Sequence, residues 1–531
     1  MKRRDFIRTS AAAGVTGLVG AGCSSVKKTP PHTGPGFDLH PFIREHPEAV
    51  FIKLTSIESK HDEQGIHDTA YDLARELIVK TEAGGYPLST KITCKPNWTC
   101  NAPTNGEALI ENRGVNTDKF FVEGFLKSVR DTGPPEVFIH ECACPEQWEV
   151  HGWVEMARRN NFYFRDLTSR DFWDLKKGRD YTFIEVPDGI VFKEIAFQTP
   201  INNPDTFLIN IAKFKAHGMG LSTSVKNLQG ISCRRFHQFC GGSSSIFKSY
   251  DKRYHKYFHR NYLERVGELQ RKHINDGIPR FDKPNGANGF YMEQWCQRMC
   301  DSFSVTPTHL NMVEGIYGRD GNGFQSGPHD GKAMDFMSNN IIFGVDAFRV
   351  DIISHWLGGH EPGNFGLFHI GIERGLSDVL DPFDIPVYLW DEGQAILTRL
   401  EHFTRTPLPT YYLQKNYTGD QYEPFYHLCD EPFDYAAWKS TGKTALSRPS
   451  VRHIGNDAHN RQIMEVSLPD KNDVYVNVLN RHGEIVWRLK ADGLEPGVHE
   501  VVWDGFNSPG LYNVYVKGMG WDAKREMVIY S

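Results

Sequence analysis

From about residue 48 the chain alternates short apolar runs with segments of helical period. The runs at 50–54, 89–94, 136–140, 207–211, 310–314 and 340–344 predict strands. The segments 67–82, 117–130, 145–159 and 347–357 predict helices, with Pro145 in a first turn and Asp346 as an N-cap. This rhythm predicts an α/β fold, a mostly parallel sheet with helices on both faces. Residues 233–300 are rich in His, Arg, Tyr and Lys and poor in strand signal, and read as a helical insertion. From about residue 396 the rhythm stops, and five short β runs with regular turns between 460 and 531 predict a small C-terminal β-sandwich. The expected organisation is a signal and tether at 1–36, an α/β catalytic domain at 37–395, an irregular connector at 396–458 and the sandwich at 459–531.

A chain of 531 residues exceeds what one core usually holds, which agrees with several domains. The net charge of −6 argues against a nucleic-acid partner and against a general basic membrane surface. Arg3-Arg4-Asp5-Phe6 followed by a Gly/Ala-rich apolar stretch is a twin-arginine export pattern. The stretch ends at Gly20-Ala21-Gly22-Cys23, which resembles a lipoprotein cleavage box, with Gly20 where a leucine-like residue is usual. The expected address is the cell envelope, as a periplasmic lipoprotein touching the membrane only through lipid on Cys23; the cell surface is the alternative. Nine cysteines follow, without a Cys-x-x-Cys pair or iron–sulfur run. Cys94–Cys100 and Cys233–Cys240 are spaced for short-loop disulfides, buried free thiols being the alternative.

The most chemically loaded stretch follows the strand at 207–211. Lys213, Lys215 and His217 lead into Gly218 and Gly220, then Ser222, Thr223, Lys226 and Asn227. Ligands of open α/β sheets bind at the carboxyl ends of strands. Lys95 and Asn97 end the strand at 89–94, and Glu314 ends that at 310–314, so all of these are expected around one crevice. Lys95, Lys213, Lys215, Asn97 and Asn227 are the expected substrate-binding set, suited to a carboxylate, phosphate or developing oxyanion. His217, Glu314 and Lys226 are the expected catalytic residues, with His217 the general acid or base nearest neutrality. Asp351 reads as an ion-pair partner, and the glycine-rich run 318–323 as a loop closing over ligand. His255 and His259 are spaced for one helical face and a metal, with surface histidines as the alternative, and His237 precedes them. The cofactor is left open, with a divalent metal among the candidates.

Three ordered motifs resemble the family called domain of unknown function 362. They are Lys95-Pro96-Asn97, the stretch 212–230 with His217, Lys226-Asn227 and Gly230, and Val313-Glu314-Gly315 with the glycines after it and Val345-Asp346. Some relatives carry iron–sulfur cysteine runs, which this chain lacks. Gly493-Leu494-Glu495-Pro496-Gly497 and Trp503-Asp504-Gly505 resemble the immunoglobulin-like module of flagellar hook-capping proteins and the C-terminal sorting domains of Bacteroidetes. The expected function is an exported envelope enzyme acting on an anionic carbohydrate or acidic metabolite, by hydrolysis or lyase-type elimination. A small molecule or glycan is the expected partner. A metal- or cofactor-dependent oxidoreductase and a non-catalytic envelope binding protein are the alternatives.

Overall fold

The structure is a computed structural model. It describes residues 33–529 except 100–112, 142–147, 165–166, 168–169, 218–219, 234–251, 277, 279–286, 322–326, 411–427, 429, 431, 442–449, 457–460, 469–470, 496, 504–509 and 519–520. The stretch read as an export segment, with Cys23, and His237 therefore lie outside the described residues.

One large sheet organises the first 400 residues. Its strands in chain order are β1 (Val50–Leu54), β2 (Lys91–Pro96), β3 (Val137–Ile139), β4 (Tyr163–Phe164), β5 (Thr206–His217), β6 (Leu310–Arg319), β7 (Asp335–Gly344), β8 (Val387–Asp391) and β9 (Gln394–Thr398). They lie in the order β9-β8-β1-β7-β6-β5-β2-β3-β4, and Gly220–Leu221 folds back on β5. Among the described strands β7, β9 and the short Gly220–Leu221 run against the others, so the sheet is mostly parallel, as the rhythm predicts.

Helices cover both faces. They are α1 (Glu63–Leu77), α2 (Lys119–Asp131), α3 (Trp153–Arg159), α4 (Ser224–Asn227), α5 (Tyr262–Asn275), α6 (Ala287–Ser304), α7 (Ala347–Leu357) and α8 (Gly366–Glu373). Leu73, Phe121 and Phe125 pack with Ile209, Ile211 and Met312 on one face. Leu228, Met299 and Ile353 pack with Leu208, Ala212 and Val313 on the other. Alternate residues of β5 and β6 thus feed two separate cores, which is why both strands are apolar on both faces, apart from the amides and charged residues described below.

Local chemistry sets the helix starts. The Asp118 carboxylate accepts from the Phe120 and Phe121 N–H groups at 2.8 and 3.3 Å. Asp346 accepts from Arg349 N–H at 3.1 Å, the cap its position predicts. In the insertion, His273 of α5 lies between Glu293 of α6 at 2.7 Å and Glu373 of α8 at 2.5 Å, binding the inserted helices to the main domain.

Several elements differ from the sequence reading. The helix expected at 67–82 runs Glu63–Leu77, and Ile78–Thr81 is a strand paired with Gly36–Leu39. Its β-branched Ile, Val and Thr favour that state. The helix expected at 145–159 is Trp153–Arg159, started by Gly152 at φ 74°, and Pro145 lies outside the described residues. The strand expected at 340–344 is the end of β7, antiparallel to β6. Gly318 therefore belongs to a strand pair and not to a loop, while 322–326 lie outside the described residues. The hairpin Tyr181–Glu185 with Glu194–Gln198 was not read from the sequence. Cys94 and Cys233 are buried free thiols, so neither proposed short-loop disulfide forms; Cys100 and Cys240 lie outside the described residues.

Near the C-terminus two antiparallel sheets, of three and four strands, share a core of Val466, Val476, Trp503 and Val514. The first strand of that unit is Ser450–Asn456, ahead of the expected boundary at 459. No helix among the described residues is long and apolar enough to cross a membrane.

Candidate functional site

The strand period of two decides how the expected site residues are placed. Asn210 of β5 is in register with Lys95 of β2 and Asn311 of β6. These three form a polar row on the face covered by α4. Asn210 Nδ2 donates to Asn311 Oδ1 at 2.9 Å and to Ser224 O at 3.0 Å. Asn227 closes the row from α4. Its Nδ2 donates to Asn210 Oδ1 at 2.8 Å and to the Lys95 carbonyl at 3.0 Å. Its Oδ1 accepts from Lys95 Nζ at 3.0 Å and Asn97 Nδ2 at 3.1 Å. Lys95 Nζ also meets Glu141 Oε2 at 2.5 Å, and both side chains are buried. Gly230 makes room for this pair: a Cβ there would lie 2.3 Å from Lys95 Cε and 2.6 Å from Glu141 Oε1.

Lys213 stands three residues beyond Asn210 and so points to the opposite face. Its Nζ lies 2.6 Å from Glu314 Oε2 and 3.3 Å from the centre of the Tyr317 ring. Lys213 and Glu314 have no exposed side-chain area. Glu314 also accepts from the Asp118 and Ile316 N–H groups, at 3.1 and 3.2 Å. Tyr317 OH donates to Asp118 Oδ2 at 2.7 Å. Burial raises the Glu314 pKa, Lys213 opposes the rise and Asp118 adds to it.

The single cationic crevice expected from the sequence is therefore not built. Lys95, Asn97 and Asn227 come together on one face, and Lys213 and Glu314 on the other. Lys95 and Lys213 each meet a buried carboxylate, because an ammonium withdrawn from water without a counter-charge costs several kcal/mol. Lys215 donates to the Val115 carbonyl.

His217 and Lys226 do meet, around Trp295 of α6. The His217 ring stands edge-on to that indole at 5.2 Å, and Lys226 Nζ lies 5.3 Å from its centre. Lys226 Nζ donates to Ser222 Oγ at 3.2 Å, and Trp295 Nε1 to Gln229 Oε1 at 3.1 Å. His217 Nδ1 is buried and has no hydrogen-bond partner among the described residues. Burial, then Lys226 and Lys215, push the imidazole well below its usual pKa, so it is neutral at pH 7.

Asp351 has no ion-pair partner among the described residues, contrary to the expectation. Its two oxygens accept from the Ser224 and Val225 N–H groups at 2.6 and 2.9 Å, pinning the start of α4 and so the placement of Lys226. Burial raises its pKa to about 7 against those same donors. His255 lies in a 3₁₀ turn, Lys252–Tyr257, that ends before His259, so the pair does not share an α-helical face. Among the described residues no cluster of three or more His, Cys, Asp or Glu is placed to hold a metal.

A cavity of about 260 Å³ opens beyond the carboxyl ends of β2 and β6, on the face carrying α1 and α2. Trp98, Arg113, Lys119, Phe120, His151 and Trp153 are among its walls, with Asp118 and Tyr317 joining it to the Lys213 cluster. Sequence reasoning missed Asp118, Glu141, Asn311, Tyr317 and Trp295. Asn210 and Asn311 carried a legible signal, each an amide inside an otherwise apolar run, where burial demands partners.

The fold and these clusters define an open α/β domain whose central strands carry internally paired lysines and amides. Residues 92–355 match the family model described as Domain of unknown function (DUF362), and this stretch of the chain belongs to that family. The match takes in β2, β5, β6 and α7, and with them all eight expected site residues. It ends before the C-terminal sheets, whose likeness to immunoglobulin-like modules stays a resemblance of sequence. No curated protein matches the chain.

Proposed function

We propose that the protein is an exported envelope enzyme that moves a proton on a small anionic metabolite, with a sugar acid as the substrate class. The reaction is hydrolysis or lyase-type elimination. His217 carries the proton, and Lys226 faces the acid group. The observation that carries this reading is His217 itself: a neutral imidazole whose Nδ1 has no hydrogen-bond partner among the described residues, in the field of Lys226 and Lys215. A substrate carboxylate beside Lys226 would cancel the repulsion that depresses His217 and raise its pKa toward neutrality, where a general base works best. Glu314 has no part in the proton transfer in this reading, since its oxygens are engaged by Lys213 and two backbone N–H groups.

Purified full-length protein is to be screened against uronic-acid oligosaccharides, following reducing ends and the ultraviolet absorbance of unsaturated products. Turnover should fall about 10²-fold or more in His217→Ala and Lys226→Ala variants that keep the wild-type circular dichroism. Unchanged turnover in both rejects the reading. Binding of a sugar acid without conversion would instead favour an envelope binding protein. That second reading draws on the Lys95 and Lys213 clusters, whose mutual satisfaction suits a rigid receptor.

A further inference from the structure

The cavity walled by α1, α2 and α3 uses none of the residues assigned to proton transfer. We propose that it is a second binding site, for a small ring that bears a carboxylate.

The pairing of charges in its walls is the first argument. Arg113 is paired with Glu63 at 2.6 Å. Asp118 is occupied by Phe120 N–H, Phe121 N–H and Tyr317 OH. Lys119 has no carboxylate in ion-pair contact among the described residues. Its Nζ donates to the His151 carbonyl at 3.2 Å and lies 4.7 Å from the Phe120 ring centre. Arg113 and Lys119 are matched in number by Glu63 and Asp118 in these walls, but Lys119 is the cation that no carboxylate contacts directly among the described residues. An incoming carboxylate supplies the missing partner in a setting drier than bulk water, where such contacts are strong.

The walls also specify the body that carries the acid. Trp98 stands edge-on to His151 at 4.8 Å and to Trp153 at 5.5 Å. With Phe120 these rings line the cavity and make its walls largely aromatic, a setting that suits a ring. Trp98 is 5% exposed, and its Nε1 has no hydrogen-bond partner among the described residues. His151 Nε2 is likewise buried without a partner. Burial and Lys119 lower the His151 pKa to about 4, so at neutral pH the ring is uncharged and adds no repulsion to Lys119. Two unused polar atoms in an aromatic wall fit a ligand with oxygens on its ring or its acid group. At the ~30 Å³ share of a water molecule, the volume suits a ligand on the order of ten heavy atoms. A hexuronic acid and an aromatic acid share this chemistry, and the test separates them.

The test is calorimetric titration of the full-length protein near neutral pH with sodium glucuronate and sodium benzoate, and with glucose and benzyl alcohol as uncharged counterparts. At least one of the two acids is expected to bind, with its uncharged counterpart at least tenfold weaker. Glucuronate alone identifies a sugar acid, and benzoate alone an aromatic acid. Lys119→Met should weaken the acid at least tenfold, and Trp98→Phe, which removes the indole N–H and little bulk, several-fold. Circular dichroism checks that both variants fold. The proposal is overturned if neither acid binds at millimolar concentration, or if the uncharged counterparts bind as well as the acids. It is equally overturned if Lys226→Ala abolishes binding while Lys119→Met leaves it intact, because the anion then belongs to the His217 site. Loss of turnover in the His217 variant with acid binding unchanged leaves this inference standing, so the two readings fail separately.

Discussion

The buried His273 makes the inserted helices pH-dependent, by an amount that follows from its surroundings. Burial disfavours its protonated form, but Glu293 and Glu373 on either side override that penalty and raise its pKa from 6.5 to about 9. A shift of that size corresponds to about 3 kcal/mol of preference for the charged form in the folded protein. The folded pKa lies above the unfolded one. The stabilisation is therefore complete below about pH 6.5 and is lost as the pH rises through about 9. Lys272 also contacts Glu373, and His273 and Lys272 together hold that carboxylate at about 2, so Glu373 stays charged across the same window. The perturbation is His273→Gln, which keeps hydrogen-bonding capacity and removes the charge. Because the chain has several domains, the readout is native-state hydrogen exchange at amides of α5, α6 and α8 and not one global melting curve. The wild type should lose about 3 kcal/mol of protection in those helices between about pH 6 and about pH 10, after correction for intrinsic exchange. The variant should start lower and show no such loss. Parallel pH profiles in the two proteins would refute the charged Glu–His–Glu arrangement.

Other contacts lead to further expectations. Lys213→Met leaves Glu314 buried without its partner and should destabilise the α/β domain by about 3–5 kcal/mol in urea denaturation, with much of the loss recovered in Lys213→Met/Glu314→Met. A single variant as stable as the wild type would show that the pair is not needed. Gly230→Ala places a methyl where the Lys95–Glu141 pair lies and should cost about 1–3 kcal/mol, seen as a lower melting temperature. An unchanged transition would mean that the pair can shift aside. Asp351→Asn replaces one of two acceptors at the start of α4 with a donor and should cost about 1–3 kcal/mol. Its mark would be faster exchange at the Ser224 and Val225 amides, and retained protection there would contradict the cap.

Much of the architecture was legible because it rests on local rules. Ala347–Leu357 was readable from its Asp346 cap after a strand, and β1 from its short apolar run. The register across strands was not. The sequence places Lys95, Lys213 and Glu314 at strand ends, but only the pairing of Lys95 with Asn210, and of Lys213 with Glu314, shows that they occupy opposite faces. The antiparallel sense of β7 was hidden for a related reason, since a buried strand carries the same apolar run in either direction. Glu141 was missed because a single carboxylate after a strand has no pattern of its own. Its meaning comes from the ammonium it reaches across the fold.

The crowding around residue 230 also bears on how related chains can drift. A side chain at that place, the ammonium at 95 and the carboxylate at 141 compete for one small volume. Substitutions at the three positions should therefore be inherited together: wherever evolution has given up the glycine, the cation and its counter-ion should be found exchanged for smaller or uncharged residues.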